Sequence, residues 1–119
     1  LDAAYNDRQN ITAQFNLNLL TRINTELNGE FDLGNVEHRA FFNERKGRIE
    51  MHLVSNCEQQ VVLDDVLIGF NKGETIHTEN SYKYSIAEFQ QLAWLAGFKP
   101  EKVWTDAKGL FSLRYLTVA

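Results

Sequence analysis

Glu79 and Ser81 stand two positions apart in a segment, residues 74–82, to which Thr75, Ile76, Thr78 and Tyr82 give strand character. Strand side chains alternate, so the pair is expected on one face, as a carboxylate that accepts hydrogen bonds beside a hydroxyl that donates and accepts. Together they can hold a polar ligand; without further context a solvated Glu and Ser on an edge strand is the preferred reading. His52, His77 and Glu79 can be read as metal ligands, but a strand pair plus one distant histidine matches no established spacing, and no metal is expected. Asp64 and Asp65 fall on a turn and point apart, which disfavours paired-carboxylate glycoside chemistry. Cys57, the single cysteine, has no intrachain disulfide partner, and no His or Asn arrangement marks it as a nucleophile.

The chain around these residues has 119 positions and is 44% hydrophobic, enough for one modest core. Its 16 acidic against 12 basic residues give a formal charge of -4, which repels nucleic acid and anionic lipid. The dense basic run, Arg45, Lys46 and Arg48 around Gly47, reads as a solvated hairpin turn. No apolar run approaches the roughly 18 to 20 residues needed to cross a bilayer, and no targeting segment is visible. Neither nucleic acid nor membrane is an expected partner, and a cytoplasmic location is. The opening Leu1-Asp2-Ala3-Ala4-Tyr5 lacks a methionine, as a piece of a longer protein would.

The elements that must position Glu79 and Ser81 follow from periodicity. Ile11, Phe15, Leu19, Leu20, Ile23 and Leu27 recur at steps of three and four and predict an amphipathic helix. Asn10 is its expected N-cap, and Asn28-Gly29 its end, with glycine taking the left-handed conformation. Asn16, Asn18 and Asn24 read as polar-face positions. Two extended runs within residues 36–56 flank the turn 43–47, with Ile49, Met51 and Leu53 on one face and Glu50, His52 and Val54 on the other. Short strands at 60–63 and 66–70 precede the longer strand at 74–82, as an antiparallel meander. Ser85 and Glu88 form a capping box for a helix carrying Ile86, Phe89, Leu92, Ala93 and Ala96, which Gly97 stops. Phe98 leads through Pro100 into a strand around 103–105, and a last strand follows at 110–116. The fold class is α+β: an antiparallel sheet with flanking helices, then a helix and a β-hairpin.

That ending, from Tyr84-Ser85-Ile86-Ala87-Glu88-Phe89 to Ala96-Gly97-Phe98 and Phe111-Ser112-Leu113, resembles the finish of the class I methyltransferase α/β fold. Two longer strings look like the histidine Nα-methyltransferases of ergothioneine biosynthesis. They run from Asn6-Asp7 through Ile11-Thr12-Ala13-Gln14-Phe15-Asn16-Leu17-Asn18-Leu19-Leu20, and over Gly73-Glu74-Thr75-Ile76-His77-Thr78-Glu79-Asn80-Ser81-Tyr82-Lys83-Tyr84-Ser85. The resemblance covers essentially the whole chain. It implies a C-terminal part of an enzyme that moves three methyl groups in turn from S-adenosylmethionine to the α-amine of histidine, with no metal in the transfer step. Residues 1–84 would then be a substrate-binding segment, and residues 85–119 the last helix and two strands of the methyltransferase fold. The family's Gly-rich cofactor loop has no counterpart here, so the S-adenosylmethionine site is expected on N-terminal residues outside this chain. The piece alone is expected to be inactive and to pair with itself or repack.

The resemblance also assigns roles residue by residue. Glu79 and Ser81 match the family's glutamate and serine that hold the substrate imidazole. Tyr5 matches a tyrosine that helps bind the substrate carboxylate; the competing account is a terminal tyrosine packed on the helix. Met51 matches a residue lining the imidazole pocket, where a flexible thioether conforms to a ring, and by periodicity it is also core beside Ile49 and Leu53. No general base is identifiable. The alternatives are a methyltransferase of the same fold acting on another amino acid, such as a tryptophan derivative, and a noncatalytic ligand-binding or oligomerisation module.

Overall fold

The computed structural model describes residues 2–7 and 10–119. The chain forms two compact units, Leu1–Tyr82 and Lys83–Ala119. The first contains a short helix α1 (Asp2–Tyr5), the helix α2 (Ile11–Glu26), and strands β1 (Val36–Asn43), β2 (Arg48–Ser55), β3 (Gln59–Leu63), β4 (Val66–Phe70) and β5 (Thr75–Tyr82).

β1, β2 and β5 form an antiparallel sheet in that order, with β2 in the centre. Gly47, at a φ of 62°, closes the β1–β2 hairpin where the sequence puts it. Ile49, Met51 and Leu53 are buried, and Leu20 of α2 is 1% exposed. The expected continuous meander is not formed. β3 and β4 pair only with each other, and β5 skips over them to β2. Backbone bonds at the foot of β2 account for this: Gly73 N–H donates to the Ser55 carbonyl (2.8 Å) and Ser55 N–H to the Glu74 carbonyl (2.9 Å). The incoming chain is thereby zipped to β2 before β5 begins.

α2 runs over the expected residues, but its packing differs from its apolar stripe. Ile11, Phe15, Leu19 and Leu27 are exposed, while Asn16 is 3% exposed. Asn10 occupies the N-cap at a φ of 55° and makes no side-chain cap bond. At the other end Asn28, not Gly29, takes the left-handed conformation, with a φ of 54°. Gly29 is there for space: a Cβ would lie 2.9 Å from Ile23 Cγ2 and 3.1 Å from Asn24 Oδ1. Asn24 in turn holds the following loop, accepting from Phe31 N–H (2.9 Å) and donating to the Phe31 carbonyl (3.0 Å).

The second unit is helix α3 (Ile86–Leu95) with strands β6 (Phe98–Thr105) and β7 (Ser112–Val118), an antiparallel hairpin. Both bonds of the Ser85–Glu88 capping box are present. β6 starts earlier than expected, directly after Gly97. The ladder accommodates Pro100, which has no N–H to donate, through a register shift between Pro100 and Lys102. In both units the architecture is helices with antiparallel strands, an α+β arrangement.

Gly29→Ala should lower stability by about 1–3 kcal/mol through overpacking against Ile23. Asn28→Gly, at a φ both residues accept, should stay within about 0.5 kcal/mol. Urea unfolding of the two variants checks the contrast.

Candidate functional site

The helix-facing side of the sheet carries the predicted residues. Register places Glu79 opposite Met51 and Ser81 opposite Ile49. Glu79 and Met51 line a cleft of about 250 Å³ together with Thr78, and α2 supplies the other wall through Phe15, Asn16, Leu19 and Arg22. Arg22 is engaged by Glu26 at 3.0 Å and not by Glu79. Ser81, one strand repeat further along the same face, receives a hydrogen bond from the Tyr5 hydroxyl at 2.8 Å. The structure thus brings Glu79 to Met51 and Tyr5 to Ser81. Ser81 and Tyr5 do not themselves line the cleft.

A register irregularity makes this possible. Consecutive residues Met51 and His52 pair with Glu79 and His77, leaving Thr78 as an extra residue in β5. Ile76, opposite Leu53, and Glu79, opposite Met51, therefore share a face although three positions separate them. Without the bulge, strict alternation would put one of them on the wrong side.

Phe15, Asn16, Asn18, Leu19, Arg22 and Thr78 line the cleft without having been expected there, and of these Asn16 and Thr78 bond each other. The signal was the three-residue step from Ile76 to Glu79, which a regular strand cannot accommodate. Asn16 itself passed as a polar-face residue because its neighbours in the chain do not reveal what faces it.

The opposite side of the sheet holds a different cluster. Glu50, 6% exposed, accepts from His52 Nε2 at 3.0 Å through one oxygen, and from Arg48 Nε and Asn43 Nδ2, each at 2.9 Å, through the other. His77 stacks on His52 (centroids 4.4 Å, planes 17° apart), and Phe41 stacks on His52 at 5.3 Å. Arg48 also donates to the Tyr82 hydroxyl at 2.7 Å. Glu79, weighed with His52 and His77 from the sequence, lies on the other face, and Glu50 takes its place. Glu50, His52 and His77 offer ligand atoms within 4.8 Å of one another. The near-parallel rings send their nitrogen lone pairs side by side rather than toward one point. His52 Nδ1 meets Thr75 Oγ1 (2.9 Å) and His77 Nε2 meets Asn80 Oδ1 (2.6 Å), so the cluster is satisfied as a hydrogen-bond network. It is the set among the described residues best placed to hold a metal, and its geometry favours protons.

The start of helix α3 does not fit S-adenosylmethionine. Helix α3, which follows a strand, opens with no glycine, and the N–H groups of Ser85 and Glu88 are each taken by the other's side chain. That turn lacks the glycine-rich backbone cradle that holds a nucleotide-like cofactor.

A family model described as "Histidine-specific methyltransferase, SAM-dependent" matches residues 1–118. The chain belongs to this family of methyltransferases. It is 38% identical over 112 residues to the histidine N-alpha-methyltransferase of Mycobacterium tuberculosis (strain CDC 1551 / Oshkosh), covering 92% of this chain and 35% of that protein. The protein of the same name from Mycolicibacterium smegmatis is 38% identical over 116 residues, with the same coverage. The L-tryptophan methyltransferase trpM of Psilocybe serbica is 33% identical over 93 residues, covering 77% of this chain and 26% of that protein. The chain therefore spans about a third of the length of the first two.

Hydrogen bonds from His52, then Asn43 and Arg48, hold the Glu50 carboxyl down at about 2, against an ordinary 4.5. A depressed carboxyl pKa contributes stability that is fully present above pH 4.5 and is lost as pH falls through about 2. Glu50→Gln should be less stable than the parent above pH 4.5, with the gap closing toward pH 2. Urea midpoints measured across that range check it.

Proposed function

We propose that the protein containing this chain is a cytoplasmic, S-adenosylmethionine-dependent enzyme that methylates the α-amine of histidine to trimethylhistidine (hercynine), a step of ergothioneine biosynthesis. The observation that carries this reading is the placement of an uncommitted acid, Glu79, in a cleft with Met51, and of Ser81 two residues along the same face. The Glu79 carboxylate accepts one imidazole N–H and the Ser81 hydroxyl serves the other nitrogen. Substrate entry then requires Tyr5 to exchange its bond to Ser81 for one to the ligand, and its phenol suits the substrate carboxylate. Met51 gives the ring an adaptable apolar contact.

The part played by this chain is binding and orientation. Gripping the imidazole and carboxylate fixes where the α-amine points, and such positioning by remote groups can lower a bimolecular barrier by several kcal/mol. The methyl donor's site is assigned to segments outside this chain. Residues 85–119 are read as the end of a class I methyltransferase sheet. Leu95, Leu110 and Val118, each about 80% exposed, support that reading, because such apolar residues suit a surface covered in a larger assembly. The same surface is the reason to expect the isolated chain to self-associate and to lack activity.

The tryptophan-directed relative favours a second reading, a same-fold enzyme for an indole amino acid. Indole offers a single N–H and no acceptor nitrogen, so it has no use for a donor–acceptor pair. Calorimetric titration of the full-length protein separates the two. Histidine should bind more tightly than tryptophan, and Glu79→Ala should weaken histidine about tenfold or more. Unchanged histidine affinity in Glu79→Ala removes the assignment. Histidine binding without methyl transfer returns the noncatalytic module.

A further inference from the structure

We propose that Asn16 and Thr78 are positioning residues for ligand recognition: a buried hydrogen-bond latch that holds the β5 bulge and so fixes the directions of Glu79 and Ser81. This rests on the reading above that Glu79 contacts the imidazole. Thr78 is the extra residue of the bulge, and its hydroxyl donates to Asn16 Oδ1 at 2.7 Å, with the Met51 carbonyl at 3.0 Å. Asn16 Nδ2 donates to the His52 carbonyl at 3.2 Å and meets His38 Nδ1 at 3.0 Å. One amide thus joins α2 to β1, β2 and β5.

The orientation of the network follows from counting protons. The His52 carbonyl can only accept, so the Asn16 nitrogen must face it and the Asn16 oxygen must face Thr78. The second Nδ2 hydrogen is then directed at His38 Nδ1, which makes that nitrogen an acceptor and leaves the His38 proton on Nε2. His38 Nε2 lies 3.1 Å from the Tyr5 carbonyl, a matching acceptor. The Tyr5 hydroxyl donates to Ser81. The network therefore runs from the bulge beside Glu79, through Asn16 and His38, to the residue that touches Ser81. Both ends of the Glu79–Ser81 pair are tied to one buried amide.

A bulge leaves its extra residue out of the ladder, so the backbone at 77–79 needs another anchor to keep a single conformation. The Thr78 hydroxyl is that anchor. Thr78→Val keeps the shape and removes the bond; Thr78→Ser keeps the bond. Because truncating Asn16 risks unfolding, Thr78 carries the test, made in the full-length protein with circular dichroism confirming the fold of each variant.

Calorimetry with histidine should show Thr78→Val weakened about tenfold, the scale of one hydrogen bond's loss, and Thr78→Ser within about twofold of the parent. In a Glu79→Ala background Thr78→Val should add less than about twofold, since its effect passes through Glu79. Parent-like affinity in Thr78→Val overturns the proposal. So does an equal loss in Thr78→Ser, or a full Thr78→Val loss that persists without Glu79, which marks a general structural role. Should Glu79→Ala bind histidine like the parent, the recognition reading fails and this inference with it. Should Glu79→Ala be weak and Thr78→Val normal, the latch alone fails.

Discussion

The first unit is organised around a buried amide that has no apolar substitute. Asn16 sits where an amphipathic helix would ordinarily place a leucine, and it is tolerated because partners on three strands meet its oxygen and both its amide hydrogens. Filling that position with an apolar side chain would leave the Thr78 hydroxyl with the Met51 carbonyl alone and His38 Nδ1 without its amide donor. Those bonds link α2 to all three strands of the sheet and reach Thr78, the bulge residue that precedes Glu79.

The sheet separates two carboxylates with opposite fates. Glu50 accepts hydrogen bonds through both oxygens, from His52, Arg48 and Asn43, which holds its proton affinity low and ties the centre of the sheet to both hairpin and edge. Glu79 is exposed at a cleft whose nearest cation, Arg22, is already paired within its own helix. A carboxylate bonded through both oxygens stabilises a fold, whereas Glu79 stands beside a cavity. Two strands, alternating as strands must, present one of each to opposite sides.

Much of this was legible in the chain. The period-two pattern of Ile49, Met51 and Leu53 against Glu50, His52 and Val54 gave the central strand and its faces, since alternation is a local property of extended backbone. Ser85 and Glu88 marked the start of α3 for the same reason: a capping box is made within one turn. The α2 stripe was misleading about burial, because periodicity shows that a helix has an apolar face without showing what covers it. Phe15 and Leu19 are exposed in this chain while Asn16 is buried.

Sequence by itself determined helices α2 and α3, the hairpin turns, the alternation that sets Glu79 and Ser81 on one side of their strand, and the family to which the pattern belongs. Each of these depends on residues within a few positions of one another or on direct likeness of strings. Tertiary structure decided that β5 pairs with β2 instead of β4, that Thr78 bulges, that Glu50 and not Glu79 joins His52 and His77, and that Tyr5 reaches Ser81 across 76 positions. Those outcomes depend on which distant backbone groups satisfy one another, and no local pattern records that choice.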